Sequence, residues 1–208
     1  MTFTFQIESE ASRDRLEKLI ALRLQPGVDK AAIDARIWDL FGETWSIMFT
    51  DLSGFSRHSA KFGIVHFLQT IYESQRLLIP VIDQHDGILL KMEGDSMMVL
   101  FRRPEKAVKC AINMQHLLSE YNQSKADEEK VLLCVGIGYG SMLRIGDADV
   151  FGAQVNASAK LGEDIAKSYE ILVTEAVKEA ITAADGISLE PTNIEAPGGA
   201  MAVFRVKY

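Results

Sequence analysis

Residues 87–101 read Gly-Ile-Leu-Leu-Lys-Met-Glu-Gly-Asp-Ser-Met-Met-Val-Leu-Phe, and the predicted fold is built around this segment. Two apolar runs, Gly87–Met92 and Met97–Phe101, flank the residues Glu-Gly-Asp-Ser, a composition typical of a tight turn. The stretch therefore predicts a β-hairpin with Gly94 and Asp95 in its turn.

Elements on both sides of this hairpin complete a β-α-β-β-α-β order. Trp45–Thr50 is predicted to be a strand, and residues 57–83 a long helix. Pro104 opens a second helix, and Val131–Gly138 is a central apolar strand. The order predicts an α+β fold with a ferredoxin-like βαββαβ core. The long helix has several apolar residues available for burial, among them Val65, Leu68, Leu78 and Ile82.

Further elements predict an elaborated version of this core. They are a strand at Ser141–Ile145, a helix at Gln154–Ala166, a strand at Glu170–Val173, a helix capped by Thr174 and a closing strand at Met201–Val206.

A helical arm is predicted at the N-terminus. Residues 9–24 have the apolar spacing of an amphipathic helix, and Pro26-Gly27 breaks it. Asp29 can cap a second helix in which Ile33, Ile37 and Leu40 share a face. We expect residues 1–44 to be this arm and residues 45–208 the main domain. The arm either packs on the core or serves dimerisation or a regulatory partner.

Composition narrows the class of protein. A chain of 208 residues supports one substantial core, and its charge of −7 argues against affinity for nucleic acid or anionic lipid. Two cysteines are too few for a disulfide framework, so we expect reduced thiols and a cytoplasmic protein. No apolar run is long enough for a membrane segment, and the first residues lack a secretory signal pattern.

Two acidic residues at the ends of neighbouring strands are the candidate functional residues. Asp51 follows the apolar run Ile47-Met48-Phe49, and the backbone of Leu52–Ser56 offers successive N–H groups for phosphate. Alone, Asp51 is also explained as a helix cap, and Asp95 as a turn residue. The helix between them returns the chain, so the two acids can lie side by side. Such a pair repels unless cations intervene, which with a nucleotide predicts two Mg²⁺ ions.

Other polar residues are less specific by themselves. Lys91 in a strand is also explained as a solvated side chain, and Asp149 in the stretch 147–152 as a turn residue. Asn156 and Lys160 lie four apart on one helix and share a face. The four histidines show no metal-ligand spacing.

Four ordered motifs together resemble the class III nucleotidyl cyclase catalytic domain, the adenylyl/guanylyl cyclase family. They span most of the chain, from about Trp45 to Val206. The motifs are Phe49–Ser56, Lys91–Asp95, Val135–Gly140 and Asp149–Asn156.

The resemblance implies a role for each matching residue. Asp51 and Asp95 would hold two Mg²⁺ or Mn²⁺ ions, with the Leu52 carbonyl assisting one of them. Lys91 and Asp149 would read the purine edge, where guanylyl cyclases usually carry glutamate and cysteine, so the chain looks adenine-selective. The remaining implied residues are Gly54, Phe55 and Ser56 at the triphosphate, Asn156 at the ribose and Lys160 at the transition state.

The implied reaction is attack of the ATP 3′-hydroxyl on the α-phosphate, which releases cyclic AMP and pyrophosphate. In this family the metal-binding and base-reading residues meet across a dimer interface, so a homodimer with composite sites is implied.

Three cations of the family pattern are altered. The transition-state arginine falls at Lys160, another arginine at Cys134, and a lysine near Gly198. Losing one charged hydrogen bond costs about 1.5–3 kcal/mol, which slows a cyclase without abolishing it. The candidates to replace these cations are Arg102, Arg103 and Arg144. Two alternatives remain open, a nucleotide-binding regulatory module without catalysis and a cyclase for GTP or a pyrimidine triphosphate.

Overall fold

The computed structural model of the protein describes residues 11–53, 63–182, 185–195 and 202–208. The helices are α1 (Ala11–Arg23), α2 (Lys30–Phe41), α3 (Ile64–Gln84), α4 (Pro104–Asn122), α5 (Ala153–Ala159) and α6 (Glu175–Ala180). A π-helical turn, Lys160–Ile165, follows α5. The strands are β1 (Gly42–Leu52), β2 (Ile88–Glu93), β3 (Ser96–Phe101), β4 (Leu133–Ile145), β5 (Asp149–Phe151), β6 (Ile171–Thr174), β7 (Ser188–Glu195) and β8 (Ala202–Lys207).

One mixed sheet carries the fold. Its order is β2-β3-β1-β4-β6-β8-β7, with β5 paired to β4 outside this path. β1 lies antiparallel to both β3 and β4, while β4 and β6 are parallel. The first four strands of that order, with α3 and α4, form the ferredoxin-like unit. The predicted α+β class, the elaborated core and the helical arm are all confirmed.

The two faces of β1 pack against different layers. Met48 and Leu52 join the large core beneath α3 and α4, whereas Ile47 and Phe49 pack on the other face with Val155 of α5. Successive side chains of a strand point to opposite faces. Asp51 therefore lies on the face that α5 covers, at the C-terminal end of β1.

The arm packs on the sheet at the opposite end of β1. Leu19 of α1 and Ile33, Ile37 and Phe41 of α2 form a small core with Ile145 of β4. The predicted cap is present, because the Asp29 side chain accepts a hydrogen bond from the Ala32 backbone N–H at 3.1 Å.

The region predicted as two strands, Val131–Gly138 and Ser141–Ile145, is a single long strand. β4 pairs with β1 without interruption from Leu133 to Leu143. Gly138 allows α5 to pack closely on β4, since a Cβ at this position would lie 2.6 Å from the Gln154 carbonyl oxygen. The predicted division into two strands is therefore wrong, because Gly138 lies within β4 and allows the close approach of α5.

Several other local predictions are also wrong. In α3, Val65 and Leu68 are exposed, because the buried face runs through Phe67, Leu78 and Ile82; residues 57–62 lie outside the described part of the chain. Leu40 of α2 is half exposed, and Phe41 takes the buried position.

Two further predictions at the second half of the sheet need correction. The Thr174 hydroxyl does not cap α6; it donates to the Gln154 Oε1 at 2.8 Å. The strand β7 was not predicted, since it contains Pro191 and polar residues and lies at the edge of the sheet, where proline is tolerated.

Candidate active site

The sheet brings the two predicted acids to one place. Asp51 is the penultimate residue of β1, and Asp95 lies in the turn between β2 and β3. Thr50 of β1 is paired with Met97 of β3, two residues after Asp95. The hairpin turn consequently lies beside the end of β1.

Asp51 is in an unusually negative environment. Burial, followed by the nearby carboxylates of Asp95 and Glu163, raises the pKa of Asp51 from 3.8 to about 7, against the opposing effect of the Leu52 backbone N–H. Burial removes the water that stabilises the ionised carboxylate, and neighbouring negative charges also disfavour the ionised form. A buried acid facing other acids is a donor set that fits a divalent cation.

No three His, Cys, Asp or Glu side chains converge as a ready-made metal cluster within the described residues. Mg²⁺ commonly binds through one or two carboxylates and completes its shell with water and substrate phosphates. The Leu52 carbonyl follows Asp51 directly and ends the same strand.

Lys91 and Asp149 come together as an ion pair. The Lys91 Nζ donates to the Asp149 Oδ2 at 2.9 Å, and both side chains are less than one-third exposed. Asp149 does not lie in a loop as predicted; it begins β5, and its Oδ1 also accepts from the Val150 backbone N–H at 2.9 Å. The pair is thereby fixed at the edge of a cavity.

This cavity has a volume of about 160 Å³. Its walls include Phe49, Lys91, Ser96, Met97, Met98 and Glu163. Apolar walls with a few charged groups are the usual lining of a site for a small molecule.

The predicted pair on α5 is exposed. Asn156 lies in α5, and Lys160 begins the π-helical turn where a continuous helix was predicted. The Lys160 Nζ is paired with Asp164 at 2.5 Å, and both side chains are about half exposed. An exposed pair of this kind is weak, so Lys160 can exchange partners.

Cys134 cannot replace the charge of an arginine. It is paired with Asp51 across β1 and β4 and is 3% exposed. Burial, followed by the nearby Asp51 carboxylate, raises the pKa of the Cys134 thiol to about 11. A neutral thiol therefore lies beside Asp51, the candidate metal-binding carboxylate.

The three arginines considered as replacements do not reach this end of the sheet. The guanidinium groups of Arg102 and Arg144 lie 3.8 Å and 5.0 Å from the Trp45 ring centroid, and Arg103 pairs with Glu105 at 2.9 Å. Trp45 precedes Asp51 by six residues on β1, which is about 20 Å of strand. Within one protomer, none of these arginines therefore accompanies Asp51. Gly54, Phe55, Ser56 and Gly198 lie outside the described residues.

Glu163 is the site residue that sequence reasoning missed. The Ser96 hydroxyl donates to the Glu163 Oε1 at 3.1 Å and lies 3.5 Å from the Asp51 Oδ1. No motif covers Glu163, and its approach depends on the π-helical turn.

The contribution of Asp51 to metal-free stability should fall as pH rises from about 4 to about 7. Across this window folded Asp51 keeps its proton while the unfolded chain has lost it, so each increase in pH favours unfolding. Above about pH 7 the penalty is constant. Asp51→Asn removes it and should raise the metal-free Tm by about 3–6 °C at pH 8, after allowance for solvent screening, and by less at pH 5.

Thermal unfolding with EDTA at both pH values measures this effect. Asp39→Asn, which removes an exposed carboxyl of α2, is the matched control and should not alter the difference. A lower Tm for Asp51→Asn at pH 8 would contradict the expected repulsion.

Comparison with known proteins agrees with this geometry. The sequence model described as the adenylate and guanylate cyclase catalytic domain matches residues 42–207. The chain is 28% identical over 153 residues to the serine/threonine-protein kinase pkn2 of Myxococcus xanthus, which covers 74% of this chain and 18% of that protein. It is 25% identical over 158 residues to putative adenylate cyclase 3 of Rhizobium meliloti (strain 1021), covering 73% and 27%.

A solved structure, the adenylate/guanylate cyclase/hydrolase from Silicibacter pomeroyi, superposes with a TM-score of 0.67 at 25% identity, covering 79% of this chain and 96% of that one. The chain therefore belongs to the adenylate and guanylate cyclase catalytic domain family, the class III nucleotidyl cyclases. Members of this class bind nucleotide, depend on divalent metal ions and typically dimerise.

The chain spans 18% and 27% of the lengths of the two relatives described above. Within the described residues, none of the helices combines the length and the apolar character that crossing a membrane requires.

Proposed function

We propose that the protein is an adenylyl cyclase that converts ATP to 3′,5′-cyclic AMP and pyrophosphate. The observation that carries this proposal is the joint presence, in a member of this family, of Asp51 beside Asp95 and of the Lys91–Asp149 pair. The first pair suits divalent cations, and the second suits adenine.

Asp51, Asp95 and the Leu52 carbonyl would hold two Mg²⁺ or Mn²⁺ ions. When bound, such ions neutralise phosphate charge and lower the pKa of the 3′-hydroxyl that attacks the α-phosphate. Asp51 is partly buried at the end of β1, and charges interact more strongly where water is limited. The backbone of Gly54, Phe55 and Ser56 would face the triphosphate.

Lys91 and Asp149 would select adenine. Lysine donates to the ring nitrogen that accepts on the adenine edge, and aspartate accepts from the 6-amino group. The 2.9 Å ion pair keeps both groups at the cavity mouth before the base enters. Asn156 would orient the ribose, and Lys160 would leave Asp164 to stabilise charge in the transition state.

A homodimer would complete each site, with metal-binding residues from one protomer and base-reading residues from its partner. We also propose that residues 1–44 form a regulatory or dimerisation arm on the catalytic domain at residues 45–208, and that the protein acts in the cytoplasm.

Purified protein incubated with each of ATP, GTP, CTP and UTP, in Mg²⁺ and in Mn²⁺, tests the function. The cyclic product is identified by mass spectrometry, with Asp95→Ala as the inactive control. Cyclic AMP as the main product supports the proposal, and a preference for another triphosphate would replace it with a cyclase for that base.

A second candidate is a nucleotide-binding module without turnover. The reduced cation set favours it, since Cys134 is a buried neutral thiol and Lys160 is paired with Asp164. It predicts that ATP binds in a calorimetric titration while no cyclic product forms. Cyclic AMP formation that Asp51→Ala abolishes would exclude it.

Deletion of residues 1–40 should change activity or dimerisation. The deletion removes Leu19, Ile33 and Ile37 and uncovers Ile145, which is 3% exposed in the intact chain. Turnover and the mass measured by light scattering are the readouts. The matched control is Trp38→Ala, which shortens a half-exposed side chain of α2. Unchanged turnover together with unchanged mass would refute a role for the arm.

A further inference from the structure

Glu163 lies at the candidate metal site although it belongs to none of the motifs. Its Oε1 accepts a hydrogen bond from the Ser96 hydroxyl at 3.1 Å, and the same hydroxyl lies 3.5 Å from the Asp51 Oδ1. A hydroxyl has one proton to donate, so Ser96 cannot fully satisfy both carboxylates. Glu163 and Asp51 therefore face each other across a single polar group.

The π-helical turn is what carries Glu163 to this position. A Cβ at Gly162 would lie 2.7 Å from the Phe49 carbonyl oxygen and 2.9 Å from the Gly136 backbone nitrogen. Any other side chain at residue 162 would push the turn away from β1 and β4. The next residue, Glu163, consequently lies over the end of β1, in the wall of the cavity that also contains Lys91. Single π-helical turns inside helices often occur at functional sites.

We propose that Glu163 is a positioning residue of the metal site, whose negative charge strengthens the attraction of Asp51 and Asp95 for a divalent cation. This inference rests on the proposed function. In this proposal Glu163 adds negative charge beside Asp51 without being a ligand itself, since its carboxylate approaches Asp51 only across the Ser96 hydroxyl. Residues next to metal ligands commonly tune affinity in this way.

A purely structural role would have a different signature. If Glu163 only anchored the π-helical turn to β3 through Ser96, its loss would destabilise the protein with and without metal. If its charge matters, the metal-free protein is relieved of repulsion by Glu163→Gln, while its metal affinity falls. Glutamine keeps an oxygen that accepts from Ser96, so the substitution isolates the charge.

The experiment measures Mn²⁺ binding to the full chain, without nucleotide, by electron paramagnetic resonance of free Mn²⁺. Glu163→Gln should weaken binding about 10-fold, the effect of one unit charge several ångströms from a divalent ion in a partly hydrated site. Its metal-free Tm should be equal to or above that of the wild type. Glu163→Ala should weaken binding by a similar factor.

Asp164→Asn is the matched control. It removes the same charge from the next residue of the turn, where the side chain is 56% exposed and paired with Lys160. Its effect on Mn²⁺ binding should be under about 2-fold, because water screens exposed charges.

Two outcomes would overturn the inference: unchanged Mn²⁺ affinity in Glu163→Gln, whether or not Glu163→Ala loses affinity, or no measurable Mn²⁺ binding by the wild type. The failure of the proposed function is separate, since it would appear as absence of any cyclic nucleotide from the wild type.

Discussion

Asp51→Ala is expected to lower cyclic AMP formation by at least about 10³-fold, the equivalent of about 4 kcal/mol of transition-state stabilisation. Asp51 is held on β1, and the nearby carboxylates of Asp95 and Glu163 raise its pKa. Alanine leaves the strand intact and removes one of the two carboxylates that would hold the ions. The measurement is cyclic AMP produced per minute at saturating ATP and Mn²⁺.

The folded state must be preserved for this result to be informative. The metal-free Tm of Asp51→Ala should not fall by more than a few degrees. The substitution removes the packing of the side chain, which lowers the Tm, but it also removes the repulsion from the neighbouring carboxylates, which raises it. Asp83→Asn is the matched control, since it removes an exposed carboxyl from α3. Activity within about 2-fold is expected there. Retention of more than a tenth of the activity in Asp51→Ala would contradict a metal-binding role.

The double substitution Lys91→Glu with Asp149→Cys is expected to change the preference from ATP towards GTP. The lysine donates and the aspartate accepts at the adenine edge, whereas guanine offers N–H donors and a carbonyl acceptor at the same positions. Leaving buried hydrogen-bonding groups unpaired is costly, so the ratio of kcat/KM for ATP to that for GTP should fall about 10²-fold or more. Assays with each triphosphate give this ratio directly.

The single substitutions should behave differently from the double one. Lys91→Glu alone places two carboxylates where the 2.9 Å ion pair was, so activity with both triphosphates should fall. Lys18→Glu makes the same charge change at an exposed position of α1 and should leave the ratio unaltered. An active double variant with the wild-type ratio would show that the base is read elsewhere.

Most of the fold could be predicted because its signals are local. The hairpin around Gly94 and Asp95 combines apolar runs with a turn composition, and the helices have regular apolar spacing. The errors occur where tertiary packing decides. Gly138 is the predicted end of a strand but lies within β4 beneath α5, and β7 has little apolar character because it is an edge strand. The residues next to Gly138 in the sequence do not predict packing beneath α5, and those of β7 do not predict an edge position in the sheet.

The candidate site was predictable only in part. The closeness of Asp51 and Asp95 follows from the order of the elements, and that of Lys91 and Asp149 from the family resemblance; the structure brings each pair together. The approach of Glu163 requires a π-helical turn, which depends on how Gly162 meets β1.

The direction of the strands explains why the positions of the arginines could not be predicted. It decides that Arg102 and Arg144 lie beside Trp45, far from the acids. Spacing along the chain does not reveal to which end of a sheet a side chain belongs.

The most direct measurement is the cyclic nucleotide formed from an equimolar mixture of ATP, GTP, CTP and UTP by the wild type and by Asp51→Ala in Mn²⁺. An adenylyl cyclase gives cyclic AMP as the dominant product, with one pyrophosphate released per cyclic AMP, and Asp51→Ala lowers it at least about 10³-fold. A wild-type protein that binds ATP and forms no cyclic nucleotide, or forms one that does not depend on Asp51, would contradict the proposed function.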